Sequence, residues 1–431
     1  FKRGLSLEPH FIGQDAGSTD MGPYYHGSAT PFLPRATYKH DLAIMLKAAR
    51  QARIPLLVGS VLTSGCDSTL ETGLEIIREI AKEEGLSFRM AAIRAEIPKA
   101  ELKRRMASET FESLGPEGPL TDDIIDRCGP ISAQMGTEPF VRALDAGAEV
   151  IIAGRACDDA VFAAMPMLKG FDTGLALHCG KILECAGLSA IPYDLAEPML
   201  GTIGRDDFVV EPANAKHRCT MVSVAGHSLY ERGDFEFQPG PGGMNDLSQA
   251  VFEQLDDRRV RVRGSRFVPD GHYRVKLEGA ERVGFRSIVV VGIRDPIMIR
   301  ELDPLLAETE ARAEARFGMR ANGISLTFRV YGRDAVMGRL EPGGAAPREV
   351  GLVIDAVAPT QDQATAVAMY SRGHLQHASY PGILTTAGNM AYPFSPFGIP
   401  VGPACRFAVY HLMSLQDPCE IFPMTIEEVR H

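Results

Sequence analysis

An α/β fold is expected, with an open, mostly parallel sheet and flanking helices in the amino-terminal part and an α+β half after it. Three observations predict it. Short apolar runs such as PLLVG (55–59) and EVIIAG (149–154) read as strands buried on both faces. Segments with apolar residues at helical spacing separate them. Beyond about residue 192 this alternation gives way to Gly/Pro clusters and short β-type runs.

In chain order, residues 7–13 are a first apolar run that stops at Gly13, and 41–53 (DLAIMLKAARQAR) carry helical spacing. Residues 55–59 are a second strand. Residues 69–84 are a helix with Leu70, Leu74, Ile77 and Ile80 on one side. A strand over 87–97, a helix over 138–146 and a strand over 149–154 come next. The middle holds QPGPGG (238–243), RVRVR (259–263) and a short run at 272–276. Then come a stronger strand at 284–293, a long helix at 296–317, strands at 324–331 and 350–358, and a helix at 360–376. Two domains are expected, residues 1–191 and 192–431, with no fixed-period repeat or low-complexity tract.

The 431 residues are 45% hydrophobic and 23% charged, ample for a core. The net charge of −10 and the lack of a basic stripe argue against a nucleic-acid partner. No apolar run approaches the roughly 20 residues of a membrane helix. The eight cysteines are scattered without a C-x-x-C pair, which fits a reduced, cytoplasmic protein. Without short-spaced Cys or His pairs, a structural zinc site is not expected. A homo-oligomer is expected on general grounds.

Ligands of open parallel sheets bind at the carboxyl ends of the strands. That rule puts FIGQDAGSTDMGP (11–23), SVLTSGCDS (60–68) and RACDD (155–159) on one side, with Glu96 after the third strand. Asp15, Ser18, Thr19, Asp20, Ser60, Ser64, Asp67, Ser68, Arg155, Asp158 and Asp159 then share a cleft. Taken singly, Asp67, Ser68, Asp158 and Asp159 read as ordinary helix caps. As a group, they exceed what helix starts require. The carboxylates suit general acid–base work, and Arg155 suits a carboxylate clamp. Asp15, Asp20 and Asp159 suit a hard divalent cation such as Mg²⁺. SVLTSGCDS lacks the Lys of a P-loop, and neither G-x-G-x-x-G nor G-x-S-x-G occurs in the expected places. ATP, nicotinamide and the α/β-hydrolase plan are therefore disfavoured.

LHCGKILECAG (177–187) sets Lys181 and Glu184 at i, i+3, with His178 a turn earlier. A surface ion pair is the plain reading and a catalytic pair the functional one. KHRCT and GHSLYE supply His217, Arg218 and His227 for anion contact or proton transfer. The His374/His377 pair has no evident third ligand and reads as structural.

The order FIGQDAGSTD, LLVGS…GCDS, VIIAGRACDDA, KILECAG and GHSLYE…DLSQAVFEQLDDRRVRVRGSR resembles the acyclic terpene utilisation (AtuA) family over nearly the whole chain. GRACDDA and the GHSLYE–VRVRG region are the most specific parts. The resemblance implies a place in bacterial catabolism of branched acids and their CoA thioesters. FSPFGIPVGPACRFAVYHLM looks like the subgroup encoded with a small companion protein, which is the partner it implies. The family supplies no catalytic assignment.

Three functions are expected in turn. The first is a lyase or hydratase that abstracts a proton next to the carbonyl of a small carboxylic acid or thioester. Asp15 or Asp20 is its base, and Asp158 or Asp159 its acid or metal ligand. Arg155, Ser18, Thr19, Ser60, Ser64, Ser68, His217 and Arg218 hold the substrate. The second is a thioester transferase or isomerase with Glu184 as nucleophile and Lys181 beside it. The third is a ligand-binding subunit acting through its companion.

Overall fold

The computed structural model describes residues 1–116, 118–231, 233–344 and 346–431. The described residues form two compact units. One comprises residues 1–281 and 407–431, and the other is residues 282–406, inserted in the chain between them. The change of character near residue 192 falls inside the first unit.

Seven strands frame the strand-end loops: β1 (Ile12–Asp15), β2 (Leu56–Gly59), β3 (Phe88–Ile93), β4 (Cys128–Ala133), β5 (Val150–Ala153), β6 (Tyr273–Ile293) and β7 (Met424–Val429). The first unit is built on a sheet of order β1-β2-β5-β3-β7, parallel except for β7. The mostly parallel sheet is thus as expected. β1 starts at Ile12 rather than residue 7, where Pro9 interrupts the run, and it extends through Asp15, which pairs with Gly59. Successive residues serve opposite cores, as strand geometry requires. Leu57, Ala91 and Ile151 enter one, and Leu56, Val58, Val150 and Ile152 the other. β4 runs antiparallel to the first part of β6, with Ser132 opposite Glu278.

The helices of this unit that bear on the site include α1 (Arg35–Ala52), α2 (Asp67–Glu84), α3 (Ala160–Leu168), α4 (Thr173–Leu183) and α5 (Met221–Ser228). α1 begins six residues before its apolar pattern because Pro34, at the N-cap, presets the entry. α2 ends at Gly85, whose φ of +63° closes it left-handed. Leu70, Leu74, Ile77 and Ile80 are all buried, worth about 1.5–3 kcal/mol each. Asp172 caps α4 by accepting from the Leu175 amide at 2.9 Å. Leu175, Cys179 and Ile182 of α4 then pack on Phe208, Val210, Val260 and Val262 of a four-stranded antiparallel sheet.

In the second unit, Phe285–Ile293 of β6 pair with Val350–Ala358, which pair with Ser325–Tyr331. Helices Leu302–Phe317 and Gln361–Gln376 complete its core with Val289, Val291 and Ile354. The helix expected over 296–317 breaks in two at Glu301. His374 bonds Thr309 and His377 the Thr386 carbonyl, so that pair is structural. Among the described residues no helix is long and apolar enough to cross a membrane.

Candidate active site

The carboxyl ends of β1, β2 and β5 meet at backbone contact. A Cβ on Gly17 would stand 2.2 Å from the Thr63 carbonyl oxygen, and one on Gly65 would stand 2.3 Å from the Arg155 amide nitrogen. Only glycine permits either approach. The loop after β2 carries left-handed backbone at three non-glycine residues, Ser60 (φ 47°), Leu62 (φ 56°) and Thr63 (φ 102°). Such conformations cost about 1–3 kcal/mol each and persist only where neighbours enforce them. Here Ser60 Oγ accepts from the Ala156 amide at 3.1 Å and from Arg155 Nη1 at 3.2 Å. Thr63 Oγ1 accepts from the Phe32 amide at 3.0 Å.

Two buried polar networks lie around these loops. In the first, Arg155 Nε donates to Glu278 Oε2 at 2.6 Å, with both side chains 3% exposed. Lys276 Nζ at 2.9 Å and Thr19 Oγ1 at 3.0 Å reach Glu278 Oε1, and a His26 ring nitrogen meets the Glu278 carbonyl. Burial alone would raise the Glu278 pKa, but Arg155 and Lys276 hold it far below the usual carboxylate range. With Nε and Nη1 committed to Glu278, Ser60 and the Ala156 carbonyl, Arg155 organises the strand ends and does not offer the open clamp the sequence suggested.

In the second network, Lys181 Nζ lies 2.7 Å from Glu184, 3.2 Å from Glu231 and 3.3 Å from Asp158. Lys181 is 2% exposed, so the i, i+3 pair is no surface ion pair. Glu184 Oε2 takes the Cys185 thiol at 3.0 Å, and Tyr230 lies under the Lys181 ammonium. Burial raises the Glu184 pKa, opposed by Lys181 and reinforced by Asp158. Burial and Lys181 push His227 down to about 4.

Asp15 joins the two networks. Its pKa is raised well above the ordinary aspartate value, by burial first and then by the charges of Asp158 and Glu184, against Arg155 and the Gly17 amide. Its Oδ1 is buried with no hydrogen-bond partner among the described residues. A carboxyl so placed holds its proton to higher pH than an ordinary aspartate.

The structure thus gathers Asp15, Thr19, Ser60, Arg155, Asp158, Lys181 and Glu184. Asp20 is exposed, and Ser18 Oγ accepts its amide in a local turn. Ser64 and Ser68 bond to Cys66 beside the start of α2, and Asp67 pairs with Arg94 while its amide donates to Glu96. Asp159 occupies the N-cap position of α3 without a capping side-chain bond. His217 and Arg218 line an open cleft with Gln254, Asp256 and Arg258. His178 is a buried structural residue held by the Ser265 and Ser228 hydroxyls.

Glu278, Lys276, Glu231, Tyr230 and Cys185 escaped sequence reasoning. The available signal was an acid inside the apolar run VKLEGA, and Glu231 closing GHSLYE. Two groups of side chains bring potential metal-ligand atoms together, Asp158/Glu184/Glu231 and Glu184/Cys185/His227. Neither contains Asp15, Asp20 or Asp159.

No curated protein and no solved structure matches the chain. The family model described as "Acyclic terpene utilisation family protein AtuA" matches residues 35–396. That stretch holds Arg155, Asp158, Lys181, Glu184, Glu231 and Glu278, while Asp15 lies ahead of it. A match over most of the length, centred on the residues that build the buried networks, means that the chain belongs to the acyclic terpene utilisation family, AtuA.

Proposed function

We propose that this cluster of side chains belongs to a lyase or hydratase that abstracts a proton next to the carbonyl of a small acyl substrate. The observation that carries the reading is the Asp15 carboxyl, with an oxygen buried and unpartnered among the described residues and a pKa raised by burial and by Asp158 and Glu184, two of the acids that pair with Lys181. Asp15 takes the α-proton, and Lys181 stabilises the negative charge that develops on the carbonyl oxygen once that oxygen replaces Glu231, at 35% the most exposed of the three acids paired with it. The proton now on Asp15 passes to the departing hydroxyl, which leaves as water. The electron pair of the C–H bond becomes the new C=C bond. With three acids around one lysine, a neutral thioester carbonyl suits the site better than a free carboxylate.

Both Glu184 oxygens are engaged, by Lys181 and Cys185, which disfavours its use as a covalent nucleophile in a transferase or isomerase. A small companion protein is part of the proposal, supported by the carboxyl-terminal pattern 394–413.

The test is α-proton exchange in D₂O with short branched acyl thioesters and the free acids, read by mass spectrometry. Wild type should incorporate deuterium, and Asp15→Asn should be slower by roughly 10²–10⁴-fold. Equal exchange by the variant would remove Asp15 as the base. No exchange with any acyl compound would overturn the reaction class.

A further inference from the structure

Two sets of potential ligand atoms come together within 4.8 Å in this pocket, and they differ in what already fills them. Asp158, Glu184 and Glu231 surround the Lys181 ammonium at 3.3, 2.7 and 3.2 Å, so that set is satisfied by a lysine cation. Between Glu184, Cys185 and His227 the bond found among the described residues is that of a thiol proton, donated from Cys185 Sγ to Glu184 Oε2 at 3.0 Å. The His227 ring stacks on Tyr230, is 6% exposed, and has a buried Nε2 with no hydrogen-bond partner among the described residues. A buried imidazole nitrogen without a partner, beside a thiol and a carboxylate, is an unmet need for a ligand.

We propose that Glu184, Cys185 and His227 bind a borderline divalent cation, zinc being the best fit. The site stands independently of the reaction proposed above. The donor set of one sulfur, one imidazole nitrogen and one carboxylate oxygen suits zinc or cobalt, and not magnesium, which takes oxygen ligands. Bond lengths of about 2.3 Å to sulfur and 2.0–2.1 Å to nitrogen and oxygen set tetrahedral ligands roughly 3.3–3.6 Å apart. The Cys185–Glu184 edge therefore opens by about half an ångström on binding.

The charge balance is favourable. Cation entry displaces the thiol proton to solvent and leaves a Cys185 thiolate. Asp158, Glu184, Glu231 and that thiolate then face Lys181 and the dication. Lys181, bonded to Glu184 Oε1, fixes the direction in which Oε2 presents itself. Three protein ligands leave a fourth position open for water or a substrate oxygen, the arrangement of catalytic rather than structural zinc. Cys185 and His227 are some 40 residues apart, which is why no short-spaced pair announces the site.

The test uses the full chain, stripped with a chelator and titrated with Co²⁺ under absorbance, then with Zn²⁺ or Mg²⁺. One equivalent of Co²⁺ should produce a thiolate-to-cobalt charge-transfer band, displaced by Zn²⁺ and untouched by Mg²⁺, with a proton released into weak buffer. Cys185→Ser should abolish the band, and His227→Gln should weaken binding at least about tenfold. Metal-free melting curves of both variants check their folding. Absence of the band in wild type, its persistence in Cys185→Ser, or its displacement by Mg²⁺ would each overturn the assignment. The wild-type spectrum decides the matter even if a variant fails to fold.

Discussion

Replacing Glu278 by glutamine keeps the shape of the side chain and removes a charge that faces Arg155 at 2.6 Å, with both groups 3% exposed. Removing one member of a buried ion pair costs about 3–5 kcal/mol, because the other is left uncompensated. The first unit has about 300 residues. An unfolding entropy of about 2.1 cal/mol/K per residue then gives about 0.6 kcal/mol/K, so the melting temperature should fall by about 5–8 °C. The pH dependence comes from the depressed folded pKa of Glu278, in which Arg155 and Lys276 outweigh burial. Its stabilisation is fully present above the unfolded carboxylate value of about 4.3 and disappears as pH falls through the lower folded value. The gap between wild type and Glu278→Gln should therefore stay constant from about pH 8 to 5 and narrow only below about 4. Scanning calorimetry across that range measures it. Pairing Glu278→Leu with Arg155→Met should recover most of the loss, since the stranded charge goes too. A fall under about 2 °C, or a gap that changes between about pH 8 and 6, would refute the buried-pair reasoning.

Asp15→Asn should move stability the other way. A carboxyl whose folded pKa lies above its unfolded value of about 3.9 destabilises the native state progressively as pH rises from the unfolded pKa to the folded one. The variant should melt with wild type near pH 4 and above it near pH 7, and a lower melting point at pH 7 would contradict the burial of Asp15. Gly17→Ala would drive a Cβ into the Thr63 carbonyl, a backbone atom with little freedom to yield. It should cost about 1–3 kcal/mol in stability and about 10²-fold in turnover through displacement of Asp15, both readable by denaturant titration and the exchange assay. Wild-type turnover in that variant would show that the two loops need not touch.

The sequence made the strand-end loops legible because a single rule, that parallel sheets bind at their carboxyl ends, needs only buried apolar runs to apply. Asp15, Arg155 and Asp158 were found that way. Asp20 was over-read, since two acids on one loop need not face the same side, and here Asp15 turns an oxygen inward while Asp20 is exposed. Helical spacing made the Lys181–Glu184 pair visible, but not its burial, which comes from α4 packing between distant segments. Glu278 was out of reach for a different reason. It meets Thr19 across 259 residues of sequence, and a charged residue in an antiparallel strand ordinarily marks a solvent face. The unpartnered His227 nitrogen is a property of three-dimensional burial with no local signature.

The sheet order has a consequence for the order of events during synthesis. β7 lies against β3, whose own residues emerge about 330 positions earlier. At roughly 5–20 residues per second, β3 waits on the order of 15–70 s on the ribosome before its edge can be covered. Throughout that interval the nascent sheet presents an unpaired apolar strand, the template on which misassembly starts. The inserted unit, residues 282–406, is translated entirely within the wait and accounts for about a third of that exposure.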